Sequence, residues 1–429
     1  MSIGSVFGRL LAIGSILTTG FVAMALAVPA GAGIVSPTAA YAAEAPYTHA
    51  IFNDPTGDDA AKDRIYTRLI ELINGAPEGS TIRMAMFYAD SVTVPTALVD
   101  AKQRGVNVRV IMDEKIKTHT AAYDVLRTGL GVDTSQGSFF MTCPAERGCI
   151  ADQGTWSIMH AKFFLFTSTL GVNNVVVQTS TNLGGTGWRD GGKGWNDALE
   201  VTGNDALFAS YAGYFADLKA HKADNNYYDT RVPLQAGAAK VFYYPRAGDS
   251  ISGDPGENTV MTILNNTDCF GNTTVGTSET HRTIIRVTTM AINLRYLADK
   301  LVALDAAGCY VLVNVRVDST DSAEVSAVNA LLKKTSSVYN GVVVRYYCQT
   351  DPIWIHSKNF SIEGKYYDKA DRKIVWTGSL NWSGGSLRGS DEVMLQLEDS
   401  TVFDAYKAQY KSVAAAATHQ PANGDSVTC

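Results

Sequence analysis

The chain has 429 residues, 46% hydrophobic and 18% charged, a composition that excludes a disordered protein and leaves room for two domains or one core built from two similar halves. Its 36 Lys+Arg stand against 42 Asp+Glu, a net charge of −6. An acidic surface repels polyanions unless the site itself is locally basic, so a stable nucleic-acid partner is not expected.

The first 43 residues carry one charge, Arg9. A largely apolar run from Leu10 to Pro29 leads to small residues ending in Ala40-Tyr41-Ala42, the layout of a secretory signal peptide (1–42) cleaved after Ala42. An uncleaved membrane anchor is the alternative reading of the same stretch. Ile65, Leu69, Leu72 and Ile73 then lie at helical spacing and stop at Gly75. A strand follows over Thr81–Phe87, a helix ending at Arg104-Gly105, and a strand with one apolar face through Val106, Val108, Val110 and Met112. The first half ends in Met159-His160-Ala161-Lys162 at the head of a strand-like run, with Ser180 and Asn182 in a small-residue turn after the next strand.

Polar residues from Lys222 to Lys240 suit a connection, which divides the chain into halves of 43–232 and 233–429. The second half repeats the order of the first. Val260, Ile263 and Leu264 read as helix, Thr283–Thr289 as strand, Leu294 to Leu304 as an amphipathic helix ending at Gly308, and Val311, Val313 and Val315 as the next strand. Ile82-Arg83 maps on Ile285-Arg286 and Gly105 on Gly308, both 203 positions on. Ile355-His356-Ser357-Lys358 follows, and Ser379 and Asn381 again occupy a turn after the next strand. Six cysteines, an even number with no Cys-x-x-Cys, favour disulfides in an exported chain over zinc ligation. Cys143 and Cys149 are close enough to close a short loop; the other pairings stay open.

A single His-x-Lys is ordinarily a solvated strand face. With only 7 histidines in the chain, two such tripeptides at matched places are another matter. On a strand, residues i and i+2 share a face, so each His and Lys project together. Each is followed by an Asn, 22 residues after His160 and 25 after His356. Cleaving a phosphodiester without a metal needs a nucleophile, a proton donor for the leaving oxygen, and positive charge around the phosphoryl group. Two His, two Lys and two Asn supply these.

The two elements resemble the paired HKD motifs of the phospholipase D superfamily, over essentially the whole chain after the leader. The resemblance implies an α/β fold of two similar sandwich halves packed around one shared active-site cleft. It implies that His160, Lys162 and Asn182 meet His356, Lys358 and Asn381 around a single phosphate, with His160 the nucleophile and His356 the general acid and base, and no metal or cofactor. Glu392 resembles the acidic residue that orients a catalytic histidine, and Asp197 is its expected counterpart. The aspartate five residues after each motif lysine is replaced by Thr167 and Glu363, which leaves the substrate more open than the chemistry.

All six tryptophans fall in the motif regions. Trp188, Trp195 and Trp382 sit in glycine-rich turns expected to rim the cleft, where amphipathic rings suit a lipid interface; Ser180 and Ser379 are further candidates for substrate contact. The reading is therefore a secreted, monomeric phospholipase D in peripheral contact with membranes or lipid aggregates. The alternatives are an extracellular nuclease or nucleotide phosphodiesterase on the same scaffold, and a non-catalytic phosphate- or lipid-binding protein.

Overall fold

The computed structural model describes residues 46–184, 193–336, 338–339 and 341–429. The leader segment expected over 1–42 lies outside them. Two mixed sheets carry the architecture, and seven strands of each follow one plan. In the first the order is Thr48–Phe52, Asp197–Val201, Val172–Thr179, Phe163–Thr169, Thr81–Met86, Asn107–Met112, Phe139–Thr142. In the second it is Ala239–Tyr244, Ser390–Leu397, Lys369–Gly378, Lys358–Tyr366, Ile284–Thr289, Tyr310–Val317, Val343–Cys348, with Leu234–Ala236 added at one edge. The register repeats as well as the order. Ile82 pairs with Val108 and Ile285 with Val311, both 203 positions on. The matched offset seen in the sequence is thus a duplicated fold.

Helices close each sheet because its strands are apolar on both faces. In Phe163–Thr169, Phe164 and Phe166 face outward onto the helices Arg64–Asn74, Thr93–Gln103 and Thr120–Leu130, while Phe163 and Leu165 face inward. The inward face meets the second sheet's Val375, Val393 and Leu395 through two helices, Asp205–Ala220 and Ser400–Ala415, in one core shared by both halves. Helices Thr259–Asn265, Arg295–Ala306 and Ser322–Leu331 cover the far side. Gly105 and Gly308 turn each second helix into the next strand with φ of +88° and +107°, and a Cβ there would stand 2.7 Å from Glu78 and 2.4 Å from Phe270. Only glycine accepts both conditions.

Two short parallel pairings stitch the halves together. Ile158–Met159 runs beside Ser390-Asp391, and Trp354–Ile355 beside Gly194–Trp195. All six cysteines are paired, as Cys143–Cys149, Cys269–Cys309 and Cys348–Cys429. The buried Asp391 carboxylate accepts backbone N–H groups from Cys149, Ile150 and Ala151 at 2.6–3.2 Å, fixing the first disulfide loop to the second half. No helix among the described residues is long and apolar enough to cross a membrane.

Candidate active site

The two cross-half pairings end at the motif histidines. His160 N–H donates to Asp391 O and His356 N–H to Trp195 O, each at 2.9 Å. The next residue on each partner strand, Glu392 or Asn196, then faces the imidazole. His160 Nδ1 lies 2.9 Å from Glu392 Oε1, and His356 Nδ1 lies 2.9 Å from Asn196 Oδ1. A carboxylate and an amide oxygen only accept, so both Nδ1 atoms carry hydrogen and the chemistry falls to Nε2 of each ring. Each half orients the histidine of the other.

This corrects one expectation. Asp197 does not reach a histidine; its buried carboxylate binds Tyr406 at 3.0 Å, Asn359 at 3.2 Å and Thr377. Strand register excludes it, since the neighbour of Asn196 on a strand points to the opposite face. Ser180 and Ser379, expected at the substrate, do not line the cleft either. Ser180 Oγ donates to Asn196 Oδ1 at 3.1 Å and accepts from Asp197 N–H, while Ser379 Oγ accepts from Val393 N–H at 3.1 Å. Both lie fully buried behind the orienting strands.

His160, Asn182, His356 and Asn381 line one cleft of about 540 Å³ with Phe87, Tyr88, Met290, Lys193, Arg316 and Trp354. The motif lysines are buried beneath it. Lys162 Nζ donates to His160 O at 2.7 Å, and Lys358 Nζ to His356 O. Each is backed by the residue that follows a corresponding strand, Thr81–Met86 or Ile284–Thr289: Lys162 Nζ sits 5.2 Å from the Phe87 ring centroid, and Lys358 Nζ lies 3.5 Å from Met290 Sδ. Phe87 also meets the His160 ring edge-on at 5.1 Å. The two Asn turns dock alike, through bridges between Ala89 and Leu183 and between Ile292 and Trp382. Replacing Phe87 by Leu keeps an apolar side chain but removes the ring face, and should lower kcat roughly tenfold with KM little changed. Phe87→Tyr should stay near wild type in the same steady-state assay.

Burial pushes His160 down to about 4. Glu392 opposes the shift, and the charges of Lys162 and Lys358, one from each half, add to it. A group whose folded-state pKa is depressed takes its proton at lower pH, so His160 stays neutral with a free lone pair through the whole neutral range. The acid limb of kcat/KM should therefore fall near pH 4, not near the ordinary histidine value of about 6.5. A pH–rate profile with a soluble phosphodiester checks this.

The expected aromatic rim is corrected too. Trp195 is 1% exposed, because its strand is sandwiched between the halves among Tyr347, Ile355 and Val413. Trp382 is 3% exposed and packs edge-on against Phe360. Trp188 lies outside the described residues. Trp354 and Tyr88, which sequence reasoning passed over, stand at the cleft instead. Thr167 and Glu363 do not line it: Thr167 Oγ1 accepts from Thr81 N–H at 2.8 Å, and Glu363 binds Arg286 at 2.8 Å and Lys407 at 3.2 Å.

A family model described as cardiolipin synthase, PLD-like domain, matches residues 69–218 and 278–414. No curated protein matches the chain by sequence. Among solved structures, phosphatidylserine synthase from Haemophilus influenzae Rd KW20 aligns at a TM-score of 0.53 and 14% identity, over 86% of this chain and 88% of that one. Polyphosphate kinase from Porphyromonas gingivalis aligns at 0.51 and 13% identity over 85% of this chain, which spans only 50% of that enzyme's length. A phospholipase D family member from Salmonella typhimurium, Nuc, covers 41% of this chain and 96% of its own at 19% identity, with a TM-score of 0.30.

Proposed function

The chain belongs to the PLD-like domain family of the phospholipase D superfamily, and on that premise we propose that it is an exported phospholipase D that splits glycerophospholipids through a phosphohistidine at His160. The observation that carries this reading is the crossed pairing: each imidazole, tied at Nδ1 by the opposite half, offers Nε2 to one cleft floored by two lysines. In the first step the His160 Nε2 lone pair bonds to phosphorus as the bond to the headgroup oxygen breaks. His356, then an imidazolium, gives its Nε2 proton to the departing alkoxide. In the second, neutral His356 takes a proton from water, the water oxygen bonds to phosphorus, and the N–P bond breaks. Phosphatidic acid leaves and His160 is regenerated. An alcohol in place of water gives transphosphatidylation. Lys162, Lys358, Asn182 and Asn381 supply fixed donors where negative charge grows, and no step calls on a metal.

The family description and the phosphatidylserine synthase likeness both name phospholipid chemistry, and Trp354 and Tyr88 give the cleft amphipathic rings. Buried Trp195 and Trp382 contribute nothing to that argument. Three disulfides suit an oxidising compartment, which supports export. The test offers the protein vesicles of phosphatidylcholine with phosphatidylserine, and plasmid DNA, side by side in EDTA. Phosphatidic acid with intact plasmid is the expected result. Cut plasmid without phosphatidic acid replaces the lipase by a nuclease, and no change in either makes the chain a binding protein.

A further inference from the structure

The site is pseudo-symmetric, but its two sides carry different charge. Strand register relates the halves position by position. Met86 pairs with Met112 and Thr289 with Val315, so Asp113, one residue on, corresponds to Arg316. Ser390 pairs with Ile158 and Gly194 with Trp354, so Gly389, one residue earlier, corresponds to Lys193. On the His160 side these positions are closed. Asp113 Oδ2 accepts from Met159 N–H at 2.8 Å, and Gly389 lies under the Trp156 ring, where a Cβ would come within 1.9 Å of it. On the His356 side the same positions hold two cations that line the cleft.

Both cations are held on that side by contacts to the motif segment. Lys193 O accepts from Trp354 N–H at 3.0 Å, two residues before His356. Arg316 Nε donates to Met290 O at 3.3 Å, and Met290 Sδ is the group that backs Lys358. Arg316 Nη1 donates to Gln349 at 2.9 Å, and Nη2 meets buried Glu324 at 3.4 Å from behind. Asp351 also lines the cleft, but its Oδ2 accepts from Cys348 N–H at 2.7 Å and from Thr418 at 2.6 Å. A guanidinium pre-set by three neighbours, with an exposed ammonium lining the same cleft, is a receptor for an anion.

We propose that the His356 side of the cleft is a subsite for a negatively charged substituent, a carboxylate or a second phosphate, on the departing alcohol, held by Lys193 and Arg316. The placement rests on the roles proposed above: if His160 attacks, the leaving oxygen lies in line on the His356 side. The site then prefers headgroups that carry an extra anion over choline or ethanolamine. It also breaks the symmetry of the cleft, because only one end of the substrate fits the charged side.

Competition against hydrolysis of bis(4-nitrophenyl) phosphate in EDTA tests this without a lipid. Phosphoserine and phosphoethanolamine differ by one carboxylate, and glycerol 1,3-bisphosphate and glycerol 1-phosphate by one phosphate. The member with the added anion should inhibit at a concentration about tenfold lower in at least one pair, and the pair that responds identifies the anion. Lys193→Gln, at an exposed position, should shrink that preference several-fold, and Lys193→Gln with Arg316→Gln should abolish it. Equal inhibition within both pairs, or a preference that survives Lys193→Gln, overturns the subsite. Failure of the lipid reading looks different: no phosphatidic acid from any vesicle, whatever the competitors do.

Discussion

His160→Ala should leave a folded protein with no measurable phosphodiester cleavage, a loss of at least ~10⁴-fold in kcat. The imidazole is buried but small, and among the described residues its ring is hydrogen-bonded to Glu392, so the variant loses the nucleophile without opening a sheet. His356→Ala should fail differently. With a leaving group as acidic as 4-nitrophenol, loss of a proton donor barely slows the first step, whereas the second still needs a base for water. That variant should release one equivalent of nitrophenol and stall, while His160→Ala releases none. Stopped-flow absorbance with stoichiometric enzyme separates the two. A full burst from His160→Ala would mean that the nucleophile has been assigned to the wrong half.

Glu392→Gln should lower kcat by about 10²–10⁴-fold with KM little changed. The carboxylate acts through His160: it fixes the hydrogen on Nδ1 and holds positive charge on the ring as phosphorus bonds to Nε2. A glutamine can turn its amide N–H toward Nδ1, which then becomes the acceptor and puts the hydrogen on the wrong nitrogen. A purely structural Glu392 would instead be rescued by the isosteric amide. Glu392→Asp, which keeps the charge, should recover part of the rate. The Nδ1 partners make the two sides unequal: His160 Nδ1 faces the Glu392 carboxylate, a counter-charge for a cationic phosphoimidazole, where His356 Nδ1 faces the neutral Asn196 amide, which favours His160 as the nucleophile.

Much of this is legible in the sequence. The duplicated order of helix and strand shows in apolar spacing, because those strands and helices are fixed by local pattern, and the offset of 203 between Ile82 and Ile285 is the register of the sheets themselves. Asn196 was legible and passed over. It stands 196 positions before Glu392, the same interval that separates His160 from His356. Choosing Asp197 followed chemical type, where period-2 strand geometry decides which side chain faces the imidazole. Phe87 and Met290, 203 apart, carry the same signal in two side chains too dissimilar to be matched by type. The tryptophans misled for a different reason. Turn composition does not report that Gly194–Trp195 pairs with the other half, and a contact between segments about 160 residues apart buries a ring that local sequence would expose.

The central claim is a covalent phosphohistidine on the first motif, formed without a metal. Mixing wild-type protein with a ³²P-labelled short-chain phospholipid in EDTA, quenching in alkali within milliseconds and mapping the labelled peptide measures it directly. The account predicts label on the peptide holding His160, lost in His160→Ala and, with a ³²P-labelled 4-nitrophenyl phosphodiester whose leaving group needs no proton donor, accumulating in His356→Ala. Label on the His356 peptide, or none until a divalent cation is restored, would contradict it.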